Sequence, residues 1–251
     1  MNHDKTIPAQ AERGVATRRS GAAAGGGEHR RPHAQSMLIL YRIGAPLVAL
    51  GRCRVAVAGT RDPTPWGAHV AREIGYKLAE AGYAVVTGLA RGVDEAASTG
   101  TLEAGGRVAA VLPYLFEANG RRLNPRAAWL LRAAAPRGAV ASAVAENLVK
   151  DSRRVREWLA ARNRIIAHIA TALVVPEARF KPRWGTRHAV ERALAEGRPV
   201  VVLKPKTKSN DVVKAFEYFM RRGAVAAEGI DEVLGMVERA CRAPAYMFKN
   251  L

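Results

Sequence analysis

Three stretches of the chain gather residues able to hold an anion. The first is Gly59-Thr60-Arg61-Asp62-Pro63-Thr64-Pro65-Trp66-Gly67, and the second is Gly88-Leu89-Ala90-Arg91-Gly92-Val93-Asp94. Each is a glycine-rich turn carrying one arginine. Backbone N–H groups in such a turn, followed by the dipole of a helix N-terminus, bind phosphate without any special side chain. Glycines also serve turns for geometry alone. Two such turns, each with an added positive charge from Arg61 or Arg91, favour phosphate binding. The third stretch runs from Lys150 to Ala167 and carries six basic residues against two acids. At helical spacing Val155, Leu159 and Ile166 can face a core, while Arg156 and Asn163, seven residues apart, share a side. A solvated helix face is the plain alternative for this stretch. Trp158 within the arginines is a candidate surface for stacking a base, with a core or edge position as the alternative.

Other chemistry finds little footing. Neither turn is G-x-G-x-x-G and no Walker lysine follows, so no nucleotide cofactor is expected. The six histidines are scattered, without H-E-x-x-H spacing, and the two cysteines, Cys53 and Cys241, exclude a disulfide framework and a cysteine zinc cluster. No metal and no catalytic residue is expected, and there is no G-x-S-x-G elbow.

The turns need elements to position them, and the chain supplies a βα alternation. Strands are expected at 54–59, 83–87, 107–112, 139–142, 172–175 and 199–203, with a short edge strand at 224–226. Helices are expected at 66–81, 93–104, 188–196, 211–222 and from 230 to about 241, several closed by glycine. The strands are continuous apolar runs such as Arg54-Val-Ala-Val-Ala-Gly59 and Pro199-Val-Val-Val-Leu203. Continuous runs mean burial on both faces. The expected fold is therefore α/β, a doubly wound, mostly parallel Rossmann-like sheet with helices on both faces. In such a sheet ligands bind at the carboxyl ends of the strands, where strand order reverses, and both arginine turns directly follow strands.

A chain of 251 residues suffices for one such domain and a tail. Residues 1–36 hold almost no large apolar side chain and read as a flexible basic tail, with Met37 as an alternative start; residues 37–251 read as a single extended domain. A hydrophobic content of 49% excludes global disorder. The net charge of +18 points to a polyanionic partner, nucleic acid before an anionic membrane, although a basic composition also serves solubility. No apolar run approaches the ~20 residues that cross a bilayer and no signal-peptide layout is present, so a reducing, cytoplasmic location is expected.

Taken in order, Gly59-Thr-Arg61, Thr64-Pro-Trp-Gly67, Thr87-Gly-Leu-Ala-Arg-Gly-Val-Asp94, Arg162-Asn-Arg164-Ile-Ile-Ala167 and Ala172-Leu-Val-Val-Pro-Glu-Ala178 resemble the DNA-processing protein A family, DprA or Smf. The family pattern is roughly G-[ST]-R, T-x-Y-G, S-G-x-A-x-G-I-D, F-P-x-R-N-R-I-I and V-V-E-A. The resemblance spans about residues 45 to 235. It departs at Leu159 and Ala160, which stand for the phenylalanine and proline, at Ser98 for a histidine, and at the extra Pro176.

The resemblance implies an extended Rossmann fold that binds single-stranded DNA in a basic pocket, delivers it to a RecA-type recombinase, and works as a homodimer. It implies a phosphate contact for Arg61 in the turn Gly59-Thr60-Arg61, a pocket floor from Gly88, Arg91 and Gly92, and a backbone contact for Arg156. Arg162 and Arg164 are motif positions of which one points to DNA and the other to the core. Asn163 orders the segment. The same fold also serves small-nucleotide binders and the phosphoribohydrolases, whose P-G-G-x-G-T-x-x-E motif is partly echoed by Pro182-Arg-Trp-Gly-Thr186. Their catalytic glutamate position is Ala189 here, and Glu191 comes two residues late. Without that carboxylate an oxocarbenium-like centre has no stabilising group.

Overall fold

The computed structural model describes residues 10–13, 39–117, 122–134, 137–144, 152–182 and 184–243. Its strands are β1 (Gln10–Arg13), β2 (Ile39–Gly44), β3 (Arg54–Val57), β4 (Ala84–Thr87), β5 (Val108–Val111), β6 (Ala139–Ser142), β7 (Ala172–Val175), β8 (Val200–Leu203) and β9 (Val225–Ala227). Its helices are α1 (Pro65–Glu80), α2 (Val93–Glu103), α3 (Pro125–Ala134), α4 (Ser152–Ile169), α5 (Gly185–Ala195), α6 (Asn210–Met220) and α7 (Ile230–Arg242). They form one sheet in the order β1-β2-β6-β5-β4-β3-β7-β8-β9. Strands β3 to β9 are parallel, while β1 and β2 run antiparallel at one edge. The expected doubly wound sheet is thus present.

Strand burial follows from composition. All four residues of β4, β5, β6, β7 and β8 are buried, as short runs of Val and Ala covered on both sides must be. Val55 and Val57 of β3 pack with Val70 and Ile74 of α1, Val93 of α2 and Val233 of α7. Val108 and Ala110 pack with Leu130 of α3 on that same face. On the opposite face Ala56, Val86 and Val111 meet Ile165 of α4, Val190 of α5 and Phe219 of α6.

Three elements were not expected from the chain alone. Strand β2 continues the sheet beyond β6, with Tyr41 opposite Ser142. Helix α3 opens on Pro125, whose fixed φ suits a first helical turn. Strand β1 lies inside the stretch read as a flexible tail and pairs with β2, Gln10 opposite Arg42; the rest of residues 1–36 lies outside the described residues. Cys53 and Cys241 are joined in one disulfide, with Cα atoms 5.4 Å apart, tying the entry of β3 to the end of α7. One cross-link is no framework, but a disulfide is unusual for the reducing location expected from the lack of a signal-peptide layout.

Candidate functional site

Strand order reverses at β3. Strands β4 to β6 extend to one side and β7 to β9 to the other, so the crevice of a doubly wound sheet opens between the carboxyl ends of β3 and β7. The β3–α1 turn, which holds Gly59, Thr60 and Arg61, meets the β7–α5 turn there. The β4–α2 turn, with Gly88, Arg91 and Gly92, lies alongside.

Asp94 and Glu177 stitch the turns together. Asp94, buried in the first turn of α2, accepts the N–H groups of Gly59 at 3.3 Å, Gly88 at 3.1 Å and Ala90 at 3.4 Å. One carboxylate therefore holds both arginine turns. Burial pushes this carboxyl up, against the pull of Arg162 and of the backbone donors. Glu177, also buried, accepts the Thr64 N–H at 2.8 Å and the Thr64 hydroxyl at 2.5 Å. Its carbonyl accepts the Thr60 N–H at 2.9 Å. Thr64 Oγ1 in turn accepts the Gly67 N–H at 3.0 Å, capping α1. The start of α1 thus already faces a carboxylate, which satisfies its dipole from within. Of the backbone N–H groups that the sequence offered to a phosphate, those of Gly59, Thr64, Gly88 and Ala90 are engaged by protein carboxylates.

The two turns approach closely because of Gly92. It adopts φ +89, and a Cβ there would lie 2.5 Å from the Thr60 carbonyl oxygen. Between the turns Val93 N–H donates to that same carbonyl at 3.1 Å. Leu89, buried at φ +50, is the one non-glycine residue with positive φ among the described residues. Thr87 Oγ1 accepts its N–H at 3.0 Å, and Arg126 Nη1 donates to its carbonyl at 2.7 Å. Strained backbone of this kind persists where its surroundings over-determine it.

Of the expected site residues, Arg61 and Arg91 are exposed above the turns, with Arg91 Nε donating to the Arg61 carbonyl at 3.4 Å. Thr60 and Asn163 are buried. The Arg162 guanidinium reaches Gly88, donating through Nη1 to its carbonyl at 3.3 Å, and fills the space a Cβ at Gly88 would need. Its Nε is buried with no hydrogen-bond partner among the described residues. Burial pulls its pKa down, Asp94 opposes this, and the charge of Arg61 adds to the depression. Two guanidinium groups therefore bear on one another across the turns. Arg164 is exposed, so of this pair Arg162 is the one directed at the site floor.

Arg156 and Asn163 share a helix side by spacing but not an environment. Residues 153–157 are all exposed, Val155 included, whereas Asn163 and Ile165 to Ala167 are buried. The first turns of α4 are open to solvent, so the same helix side is bare at one end and covered at the other. Trp158 is half-buried, one turn before Arg162, with its ring edge-on to Tyr114 at 6.3 Å between centroids. Asp94, Glu177 and Arg126 were absent from the residues singled out as site-forming. The first two lay inside quoted motifs, but no spacing rule says that a carboxylate will turn inward to bind backbone. Arg126 has no local signal at all.

A doubly wound sheet whose switch point carries two arginine-bearing glycine turns defines a Rossmann-like protein. The chain belongs to the family of DNA recombination-mediator protein A, whose model matches residues 29–238. A Mycobacterium tuberculosis protein named for DNA processing, DprA, is 32% identical over 217 residues, covering 86% of this chain and 53% of that protein. The chain thus spans about half the length of that curated relative. The solved structure of DNA processing protein A from Helicobacter pylori, described for its single-stranded DNA binding mode, matches with a TM-score of 0.65 at 22% identity, covering 80% of this chain and 87% of that one. The corresponding protein from Streptococcus pneumoniae matches with a TM-score of 0.63 at 28% identity, covering 78% and 65%. Among the described residues no helix is long and apolar enough to cross a membrane.

Proposed function

We propose that this chain binds single-stranded DNA through its sugar-phosphate backbone at the switch point of the sheet, with little base preference, and acts in DNA processing and recombination. The observation that carries the reading is the convergence of positive charge there. Arg61 and Arg91 are exposed over turns whose nearby carboxylates, Asp94 and Glu177, are already engaged, and the charge of Arg61 bears on the partly buried Arg162. A phosphate placed between such guanidinium groups relieves their repulsion and gains charge-assisted hydrogen bonds. Family membership and the DNA binding described for the Helicobacter protein support the choice of polyanion.

In this reading Arg61 and Arg91 contact phosphate, Gly59, Thr60, Gly88 and Gly92 form the floor, and Arg162 and Asn163 set its shape. Arg156 and Arg164 supply outlying charge from α4, and Trp158 offers a base-stacking surface beside Tyr114. Binding in the cytoplasm, as a homodimer that hands DNA to a RecA-type recombinase, completes the proposal. The chain acts by binding and not by glycosidic hydrolysis. In support, Ala189 is buried in the core, and Glu191 accepts the Tyr218 hydroxyl at 2.5 Å and pairs with Arg222 at 3.4 Å.

A salt titration tests the reading. With about five phosphates contacted on a single strand, counterion release gives a log–log slope of affinity against salt near −3.5. A labelled oligonucleotide of mixed sequence is expected to show this dependence. A flat response, with AMP displacing the oligonucleotide at low concentration, overturns it in favour of a small ligand.

A further inference from the structure

The β7–α5 turn brings to the same crevice an aromatic ring that no motif marks. Phe180 is 46% exposed. A single exposed apolar side chain is ordinary, but this one is held in place from three sides. Its own N–H donates to the Asp211 carbonyl at 2.8 Å. The preceding Arg179 donates through Nε to the Asp62 carbonyl at 2.7 Å and pairs with the Asp211 carboxylate at 3.0 Å. The following Lys181 reaches the Asp62 carboxylate at 3.7 Å. Asp62 is the residue after Arg61, so these contacts hold the segment that bears Phe180 beside the turn that carries the exposed arginine.

Beneath the ring lies an aromatic bed. Phe180 meets Trp184 at 5.2 Å and Tyr218 at 6.0 Å between centroids, and Trp184 stacks on the fully buried Phe219 at 5.1 Å. Asp211 is held below the usual carboxylate range by the Ser209 hydroxyl first and by Arg179 after it. The result is a half-exposed ring packed on other aromatic rings, flanked in the chain by Arg179 and Lys181. A nucleobase has a π-face whatever its identity, so such a surface stacks bases without reading sequence.

We propose that Phe180 is a stacking surface for a base of the strand whose phosphates meet Arg61. This rests on the single-strand reading above and extends it to the side of the crevice away from α4. Trp158 and Tyr114 lie toward β5, whereas Phe180 lies on the β7 side, so the arginine turns run between two aromatic surfaces.

The test compares labelled oligothymidylate with an abasic strand of equal length, using the wild-type protein, Phe180→Ala, Phe180→Leu and Phe180→Trp. The leucine variant keeps apolar contact with Trp184 and Tyr218 should the alanine variant melt early. Phe180→Ala and Phe180→Leu are expected to weaken oligothymidylate binding about tenfold, with binding of the abasic strand and its salt slope unchanged. Phe180→Trp is expected to restore the wild-type preference. Equal weakening on both strands, or none on either, overturns the stacking role while leaving the DNA reading in place. Wild-type protein that binds neither strand overturns both.

Discussion

Two arginines of this site, close in space, do different work. Arg61 is exposed at the end of a turn and makes its contacts through backbone, so its side chain is available to a ligand. Arg162 is tied to Gly88, and its charge acts on the buried Asp94. Arg61→Ala is expected to lower single-stranded DNA affinity roughly ten- to a hundredfold, the loss of a charge-assisted contact of about 1.5–3 kcal/mol, with the melting temperature unchanged. Arg162→Ala is expected instead to destabilise the fold, by about 1–3 kcal/mol, because it leaves the Gly88 carbonyl without its donor and takes a positive charge away from a buried carboxylate. Denaturant unfolding and a binding isotherm on both variants check the contrast, and an Arg61→Ala protein that binds like wild type removes the site. The sequence named both arginines but left Arg162 and Arg164 undecided. Two residues along a helix turn by about 200°, so one of them had to face away; which one depends on how α4 lies on the sheet.

At the scale of elements, the site is the meeting of two turns, and their separation is set by backbone. Gly92 leaves no room for a side chain between itself and Thr60, in a conformation that L-residues rarely adopt. Gly92→Ala is expected to cost about 1–3 kcal/mol of stability and to weaken DNA binding by separating Arg61 from Arg91. Thermal unfolding and a titration measure the two effects, and an alanine variant that melts and binds as wild type shows that the turns tolerate a wider gap. The glycines of these turns were legible as turn residues. What was not legible is that α1 receives Glu177 at its N-terminus, which turns a presumed phosphate cradle into an internal brace. A carboxylate 113 residues away in the chain cannot be assigned to a helix start from local pattern.

For the whole molecule, the three apolar clusters run from Tyr41 to Cys241, and strands β2 to β9 all follow residue 36. Deleting residues 2–36 removes β1 from an outer edge and leaves the parallel core intact. The shortened protein is expected to keep a cooperative melting transition and to bind DNA more weakly only through the lost positive charge. Loss of the transition, followed by circular dichroism, shows that β1 belongs to the folding unit. The net charge of +18 is expected to act at this scale as well, favouring the approach of a polyanion whichever turn receives it.

Composition and periodicity by themselves determined the α/β class, the parallel strands and most helices, because short Val- and Ala-rich runs have no stable place except between two covering layers. They also marked the two arginine turns, since glycine and charge after a strand are local features. Strands β1 and β2 escaped notice. An edge strand is defined by the neighbour it pairs with, and β2 finds its neighbour in β6, about a hundred residues on. The inward roles of Asp94, Glu177 and Arg162, the strain at Leu89 and the placement of Phe180 were likewise decided only by tertiary structure. Each is a contact between segments distant in sequence, and a side chain's direction there is fixed by the packing of whole elements rather than by its neighbours in the chain.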